Sequence, residues 1–160
     1  DNASFVAQTV EYLTRTGEPP IFFEMKTPAN PTANKRRLAY IDMMERLNFE
    51  PKVVQVEGEG WAFEDIGRQG ALKLFSEDAL PGRTVLCSND RLAIGFLSAC
   101  YELGMRVGRD DNCVLRVASN DDHPFSKFTC PPLTTVAQDG KLPKRNETLF
   151  PARLILRESA

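Results

Sequence analysis

The chain has 160 residues, of which 42% are hydrophobic and 26% are charged, and its formal net charge is −2 at pH 7. A chain of this length buries about 70% of its unfolded surface, so it needs no disulfide or metal to fold, and the composition argues against disorder. The charge gives no sign of a nucleic-acid-binding surface, and no run of about 18 apolar residues could span a membrane.

Segments with a helical period alternate along the chain with short apolar runs. Asp1 or Ser4 is predicted to cap a first helix that buries Val6, Val10 and Leu13. The later elements are predicted as strand 20–25, helix 35–48, strand 52–56, helix 63–77, strand 83–87, helix 90–104, and strands 113–118, 133–137 and 152–157. Helix 35–48 is predicted to turn Leu38, Ile41, Met44 and Leu47 inward, and helix 90–104 is predicted to turn Leu92, Phe96, Ala99 and Leu103 inward.

Short strands that alternate with helices predict βαβ crossovers and a parallel sheet. The apolar runs do not alternate, which is typical of strands covered on both faces. The predicted fold class is therefore α/β, with an open, mainly parallel sheet of five to six strands and helices on both faces. The polar stretch 139–148 has no helix that could connect parallel neighbours, so either its flanking strands are not adjacent or a segment is missing there.

The four cysteines are Cys87, Cys100, Cys113 and Cys130. They form no C-x-x-C pair and the only histidine is His123, so neither a zinc site nor any other metal site is predicted. Buried free thiols in a reducing compartment are the expected state, and no cofactor is predicted.

In an open parallel sheet, ligands bind beyond the carboxyl ends of the strands. The residues that follow the predicted strands, together with Arg37 of the second helix, form a rim of candidate ligand-binding residues that is rich in Asn, Asp and Arg and has one Trp: Trp61, Ser88, Asn89, Asp90, Ser119, Asn120, Asp121 and Asp122. Asparagine donates and accepts hydrogen bonds, an ionised aspartate accepts them, and arginine presents a planar fork of donors. Together with the flat face of a tryptophan, this set suits the neighbouring hydroxyls of a sugar or polyol.

Each candidate also has a purely structural explanation. Asn89 or Asp90 could simply cap the next helix, and Asp121–Asp122 could form only an Asx turn. Arg37 could be a surface residue of its helix, and Trp61 could be a half-buried core residue.

The remaining polar residues indicate no catalytic chemistry. Lys35 and Arg36 are predicted to lie on a solvated helix face. His123 is followed by proline and has no obvious nucleophile partner, and the chain contains no G-x-S-x-G elbow and no phosphate loop. No catalytic residue is therefore predicted, and the protein is not expected to be an enzyme.

Two stretches carry a resemblance to a known family. "VLCSNDRLAIGFLSACYELGMRVGRD" and "VASNDDHPFSKFTCPPLTTVAQD" resemble the effector-binding core of the lactose-repressor/galactose-repressor family of bacterial transcription regulators. That family shows a strand, A-N-D and a helix, and later a strand ending in D-D before P-P-L-T-T-V. The segment "NKRRLAYIDMM" resembles its R-L-x-G helix, and "FPARLILRES" resembles its last strand, so the likeness covers nearly the whole chain.

The resemblance implies a lobe of the type I periplasmic-binding-protein fold, with a flavodoxin-like strand order. Residues 1–160 would form the C-terminal lobe, with the DNA-binding helix-turn-helix and the N-terminal lobe absent from this chain. Segment 138–150 would lack the family's crossing helix, through truncation or deletion. The family implies a cytoplasmic homodimer that contacts no membrane and reaches operator DNA only through the missing domain, with a sugar-like effector bound between the lobes.

Position by position, the resemblance places Arg37, Asn89 and Asp121 on effector-contacting residues and Trp61 near an aromatic residue that stacks on the effector. Asp1 falls on the residue at the lobe crossover. The family's Gly-aromatic pair is Ser119–Asn120 here, and its glycine after R-L-A is Tyr40, which leaves the effector's identity open.

Two other functions stay open at this point. A periplasmic sugar-binding protein for transport or chemotaxis would use the same fold, and an enzyme on a flavodoxin-like sheet is a third class. For the effector-binding lobe, the prediction divides neighbouring residues between two roles: Asp90 caps its helix and Asn89 faces the effector.

Overall fold

The computed structural model describes residues 2–26, 31–138 and 152–160. Its elements, in chain order, are α1 (Asn2–Thr16), β1 (Ile21–Met25), α2 (Pro31–Arg46), β2 (Val53–Val56), α3 (Phe63–Ser76), β3 (Thr84–Cys87), α4 (Asp90–Glu102), β4 (Arg116–Ala118), a short 3-10 helix (Ser126–Phe128), β5 (Thr135–Gln138) and β6 (Ala152–Ile155). Asp1 and residues 139–150, on which sequence predictions fall, lie outside the described residues.

A parallel sheet of four strands in the order β2-β1-β3-β4 organises the fold, and β5 pairs with β6 in an antiparallel ribbon. The two parts are joined, because the amides of Ser119 and Asp121 donate to the carbonyls of Thr134 and Val136, each at 3.0 Å. Strand β5 thus runs parallel to β4 at its carboxyl end, where Ala118 and Thr134 form a bridge. The predicted α/β class with a mainly parallel sheet is confirmed.

Two apolar clusters cover the two faces of this sheet. Phe23 on β1 packs edge-to-face on Phe96 of α4, with ring centroids 5.2 Å apart, on the face that α3 and α4 cover. Its neighbour Phe22 points to the other face and stacks on Tyr40 of α2 at 5.1 Å. All five residues of β1 are buried, including Glu24, which confirms the prediction of a buried strand here. The predicted inner face of α1, formed by Val6, Val10 and Leu13, is also confirmed.

Each of two helices exposes one residue that was predicted to face inward, whereas Met44 of α2 and Leu92, Phe96 and Ala99 of α4 are buried as predicted. Leu38 is exposed, because α2 is rotated so that Tyr40 and Met44 are its buried residues. The Tyr40 hydroxyl fixes that rotation by donating to the carbonyl of Pro20 at 2.8 Å and accepting from the amide of Lys52 at 2.9 Å. Leu103 is exposed as well, because α4 ends at Glu102 and Leu103 is its C-cap residue.

Helices α3 and α4 approach each other closely at two glycines. A Cβ atom on Gly95 would lie 1.9 Å from the carbonyl oxygen of Glu64, and one on Gly67 would lie 2.3 Å from that of Leu92. No larger residue fits either position unless the helices separate. This contact fixes the start of α4, and with it the residues just before that helix.

The cysteines only partly follow the expectation. Cys87 and Cys100 are buried free thiols, but Cys113 is half-buried and Cys130 is exposed, because both lie in loops that precede β4 and β5. The described residues contain no group of three or more side chains placed to hold a metal ion, and none of their helices is long and apolar enough to cross a bilayer.

Candidate functional site

The carboxyl ends of β1, β3 and β4 open onto one edge of the sheet, which we call the rim. A small cavity of about 80 Å³ lies there. It is lined by Met25, Thr32, Ala33, Arg36, Phe63, Ser88, Asn89 and Leu92. Of these side chains only that of Arg36 carries a charge, so a ligand entering the cavity meets one guanidinium group among polar and apolar neighbours.

Arg36 joins both sides of the rim. Its guanidinium group forms a two-pronged ion pair with the Asp121 carboxylate, and its Nη1 also donates to the carbonyl of Ser88 at 2.7 Å. The Arg36 side chain is only 11% exposed, whereas that of Asp121 is 39% exposed. The prediction that Arg36 lies on a solvated face is therefore wrong.

Arg37 points to a different partner. Its Nη1 donates to Glu24 on β1 at 2.7 Å, and its Nη2 donates to Asn34. The Glu24 side chain is 1% exposed and accepts a second hydrogen bond from Gln55 at 2.7 Å. The structure thus places Arg37 over a buried carboxylate and does not bring it to Asp121, because consecutive helix residues point about 100° apart.

Asn89, and not Asp90 as predicted, caps helix α4. Asn89 is the N-cap of α4: its Oδ1 accepts from the amide of Leu92 at 2.9 Å. It also lines the cavity, so its amide nitrogen is the part that could serve a ligand. Asp90, which was predicted to cap the helix, is instead buried and accepts hydrogen bonds from outside it.

Burial raises the pKa of Asp90, even though its hydrogen-bond donors favour the charged form. The donors are the Ser126 hydroxyl at 2.5 Å, the Thr135 hydroxyl at 2.7 Å and the amide of His123 at 2.8 Å. One carboxylate thus ties the start of α4 to the loop after β4, the 3-10 helix and β5.

Trp61 lies on the loop before α3 and is 78% exposed, so it is not a half-buried core residue. Its ring meets that of Phe63 edge-to-face at 5.9 Å, and Phe63 lines the cavity. Phe63 is held in turn by Arg91, which lies over its ring at 5.2 Å. Arg91 also pairs with Glu64 at 2.6 Å and lowers the pKa of that carboxyl. The rim therefore has a supported aromatic wall with a free indole face beside it.

Asp121 and Asp122 form a turn in an unusual conformation. Their φ angles are 122° and 46°, in the region that side-chain-bearing residues avoid. The turn is fixed by a hydrogen bond from the amide of Asp122 to the Thr135 hydroxyl at 3.2 Å and by an ion pair between Asp122 and Arg157 at 2.9 Å. Such turns persist only where their surroundings hold them, and they cluster at functional sites.

The structure thus brings Asn89 and Asp121 to one rim, near Trp61, and adds Arg36 where sequence reasoning named Arg37. A sequence signal for Arg36 does exist. Arg36, Tyr40 and Met44 are four residues apart and share one face of α2, so a buried Tyr40 implies an inward Arg36. The roles of Ser88 and Arg157 had no such signal, because both depend on contacts between distant segments.

The arrangement is suited to binding rather than to catalysis. The rim offers a guanidinium group, a carboxylate, an amide, backbone carbonyls and an aromatic face. The imidazole ring of His123 interacts within its own loop, where its Nδ1 accepts from the amide of Phe125 at 3.2 Å. These groups can orient a polar ring, and the described rim residues show no nucleophile held against a general base.

Comparisons with known proteins identify the family of this chain and several relatives. Residues 10–142 match a family described as a periplasmic binding protein-like domain. The chain is 30% identical over 133 residues to the lactose operon repressor of Escherichia coli K12, covering 83% of this chain and 35% of the relative. It is 33% identical over 126 residues to the transcriptional repressor PurR of Pasteurella multocida, covering 77% of this chain and 35% of the relative. The chain thus spans about a third of the length of these curated relatives.

Solved structures agree on the fold. A regulatory protein of the LacI family from Chloroflexus aggregans superposes with a TM-score of 0.78 at 26% identity, covering 99% of this chain and 61% of that one. A dimeric lac repressor with a C-terminal deletion superposes with a TM-score of 0.78 at 25% identity, covering 99% and 62%. The chain therefore has a fold that is also found in these transcription regulators.

Proposed function

We propose that residues 1–160 form the effector-binding C-terminal lobe of a bacterial transcriptional repressor, because this chain belongs to the periplasmic binding protein-like domain family. The observation that carries the proposal is the rim, where Arg36, Asn89 and Asp121 meet beside the exposed face of Trp61. The curated relatives named above are repressors, which agrees with the expectation that the protein is not an enzyme.

The effector is proposed to be a small sugar or sugar derivative. The charges around the rim are already paired, as Arg36 with Asp121, Arg37 with Glu24, and Lys26 with Glu57 at 3.1 Å. A neutral ligand with several hydroxyls can insert between such partners without leaving a charge unpaired, whereas a charged ligand would have to displace one. The exposed Trp61 supplies the apolar face that a sugar ring needs.

The lobe offers only part of a site. Pockets for small ligands usually enclose about 300–1,000 Å³, and the rim cavity encloses about 80 Å³. A second lobe would supply the remaining contacts, together with a separate domain that binds operator DNA. An effector held between lobes changes DNA affinity if it binds one lobe arrangement better than the other, and DNA then changes effector affinity by the same factor.

The test is titration calorimetry on the full-length protein with a panel of neutral monosaccharides and disaccharides, their phosphates and their acids. We expect a neutral sugar to bind and Asp121→Ala to weaken it by about 10- to 100-fold, the equivalent of about 1.5–3 kcal/mol. Asp110→Ala, at the opposite end of the sheet, is the matched control and should leave affinity unchanged. Tight binding of a phosphate alone, or equal effects of the two substitutions, would contradict the assignment.

A cytoplasmic homodimer is part of the proposal. Phe125 and Phe128 are exposed large apolar residues on one short segment, with the Lys127 ammonium 5.0 Å from the Phe128 ring. Exposed aromatic residues of this kind suit an interface, and two related solved structures are described as dimers. Sedimentation of the full-length protein should give a dimer that Phe128→Asp weakens. Export to the periplasm would instead support a sugar-binding transport protein.

A further inference from the structure

We propose that Asp90 is the positioning residue of the rim: through the Thr135 hydroxyl, its buried carboxylate holds the 121–122 turn in the conformation that presents Asp121 to the ligand. The role of Asp121 in this statement rests on the proposed function. The mechanical part, from Asp90 to the turn, rests on the geometry alone.

The position of Asp90 is unusual for a charged residue at the start of a helix. It is 1% exposed, and capping does not explain it, because Asn89 already caps α4. Both of its carboxylate oxygens are used by distant residues: Oδ1 by Thr135, and Oδ2 by Ser126 and the amide of His123. Its own amide donates to the carbonyl of Asn120 at 3.1 Å. All these contacts converge on the loop that carries Asp121 and on the strand beside it.

The chemistry of the hydroxyl fixes the direction of this chain of hydrogen bonds. An ionised carboxylate can only accept, so the single proton of the Thr135 hydroxyl points to Asp90 Oδ1 at 2.7 Å. The lone pairs of the same oxygen then face the amide of Asp122, which donates to it at 3.2 Å. A carboxylate at position 90 therefore orients the hydroxyl as an acceptor for the turn, which an apolar residue could not do.

The turn needs this support because its backbone is strained. Positive φ at two consecutive residues that are not glycine is unfavourable and relaxes unless hydrogen bonds hold it. The amide of Asp121 donates to Val136, that of Asp122 to Thr135, and that of His123 to Asp90. Two of these three successive amides thus depend on the Asp90–Thr135 pair, and the carboxylate of Asp121 faces Arg36 only while the turn keeps its shape.

The experiment compares Thr135→Val with Thr135→Ser by amide hydrogen exchange resolved to single residues. Valine keeps the shape of threonine but removes the hydroxyl, and serine restores it. We expect the amides of Asp122 and His123 to exchange about tenfold faster in Thr135→Val and within about twofold of the parent in Thr135→Ser. Thr9→Val is the matched control, because Thr9 is also buried and donates to a carbonyl, that of Phe5 at 3.1 Å in α1.

Asp90→Asn provides a second arm if Thr135→Val folds poorly, and it should speed exchange at the same two amides while α1 amides stay protected. In both arms, the guanidinium resonances of Arg36 should lose their distinct NMR shifts as the pair with Asp121 loosens. Unchanged exchange at Asp122 and His123, or an equal change there in Thr9→Val, would overturn the proposal. Failure of the proposed function is separately visible, as an absence of ligand binding with these exchange differences intact.

Discussion

Each end of the parallel sheet carries a cavity, and the end with the smaller cavity is the one that we propose as the binding site. At the amino end, a cavity of about 400 Å³ lies among the end of α4, the loop before β4 and the loop before β5, and three of the four cysteines line it. At the carboxyl end, the rim cavity measures about 80 Å³. The larger cavity borders two arginines, Arg106 and Arg109, for which the described residues provide no ion-pair partner.

The smaller cavity is surrounded by side chains and backbone that their neighbours hold in fixed positions. Around it lie a two-pronged ion pair, a buried aspartate with three donors and two consecutive positive φ angles. Binding sites need side chains held in place by their neighbours, and holding them costs stability that a plain surface would not give up. This difference supports the proposal that the carboxyl end of the sheet, and not the larger cavity at the amino end, binds the ligand.

The largest expected effect separates the two neighbouring arginines of α2. Arg37→Gln removes the partner of the buried Glu24, and breaking a buried pair in this way costs about 3–5 kcal/mol. We expect a loss of about 3 kcal/mol in the free energy of unfolding, measured with urea, because Gln55 still donates to Glu24. Arg36→Gln is the matched variant. It leaves Asp121 unpaired where water can reach it, so it should cost about 1 kcal/mol and act on ligand affinity. A larger stability loss for Arg36→Gln than for Arg37→Gln would contradict the assignment of Arg37 to the buried ion pair and of Arg36 to the ligand site.

The amino-acid pattern predicted the fold well for physical reasons that are visible in particular strands. Strand β1 is buried on both faces, and its apolar residues Ile21, Phe22, Phe23 and Met25 make that burial visible in the sequence. The joining of β5 to β4 was harder to predict from the sequence, because it depends on a few hydrogen bonds after Ala118 rather than on a long ladder of hydrogen bonds.

The site was harder to predict because it depends on rotation and register. A shift of one residue along α2 exchanges Arg36 for Arg37, and the buried Tyr40 decides which of them faces the rim. Asn89 and Asp90 are both chemically able to cap a helix. The choice between them was made by donors on the 3-10 helix and β5, which lie more than thirty residues further along the chain. No local pattern reports such contacts.

A second test addresses the strain at the rim. Asp121→Gly and Asp121→Ala both remove the carboxylate. The φ of 122° at this position is unfavourable for alanine but not for glycine. We expect Asp121→Gly to be more stable than Asp121→Ala by about 1–2 kcal/mol, measured by thermal unfolding. At the amino end, Asp110 is not among the residues with positive φ, so there the alanine variant should be the more stable one. Equal ranking at both positions would show that the rim is not strained.

A third test uses the raised pKa of Asp90. Because burial makes the folded protein hold this proton more tightly than the unfolded chain does, unfolding releases it, and stability falls as the pH rises. The fall begins near the ordinary carboxyl pKa of about 3.9 and ends above the raised value. Asp90→Asn cannot titrate, so the free energy of the parent minus that of the variant should decrease with pH across this window. A difference that stays flat would mean that burial does not perturb this carboxyl.

The smallest expected effect lies at the amino end. Cys113→Ser and Cys130→Ser change one atom each in the larger cavity, at a half-buried and an exposed position. Substitutions on such surfaces usually alter stability by no more than about 0.5 kcal/mol. We expect urea unfolding and the affinity for the effector to remain unchanged in both variants. Weaker effector binding by either variant would contradict the comparison, because it would place part of the binding site at the amino end of the sheet.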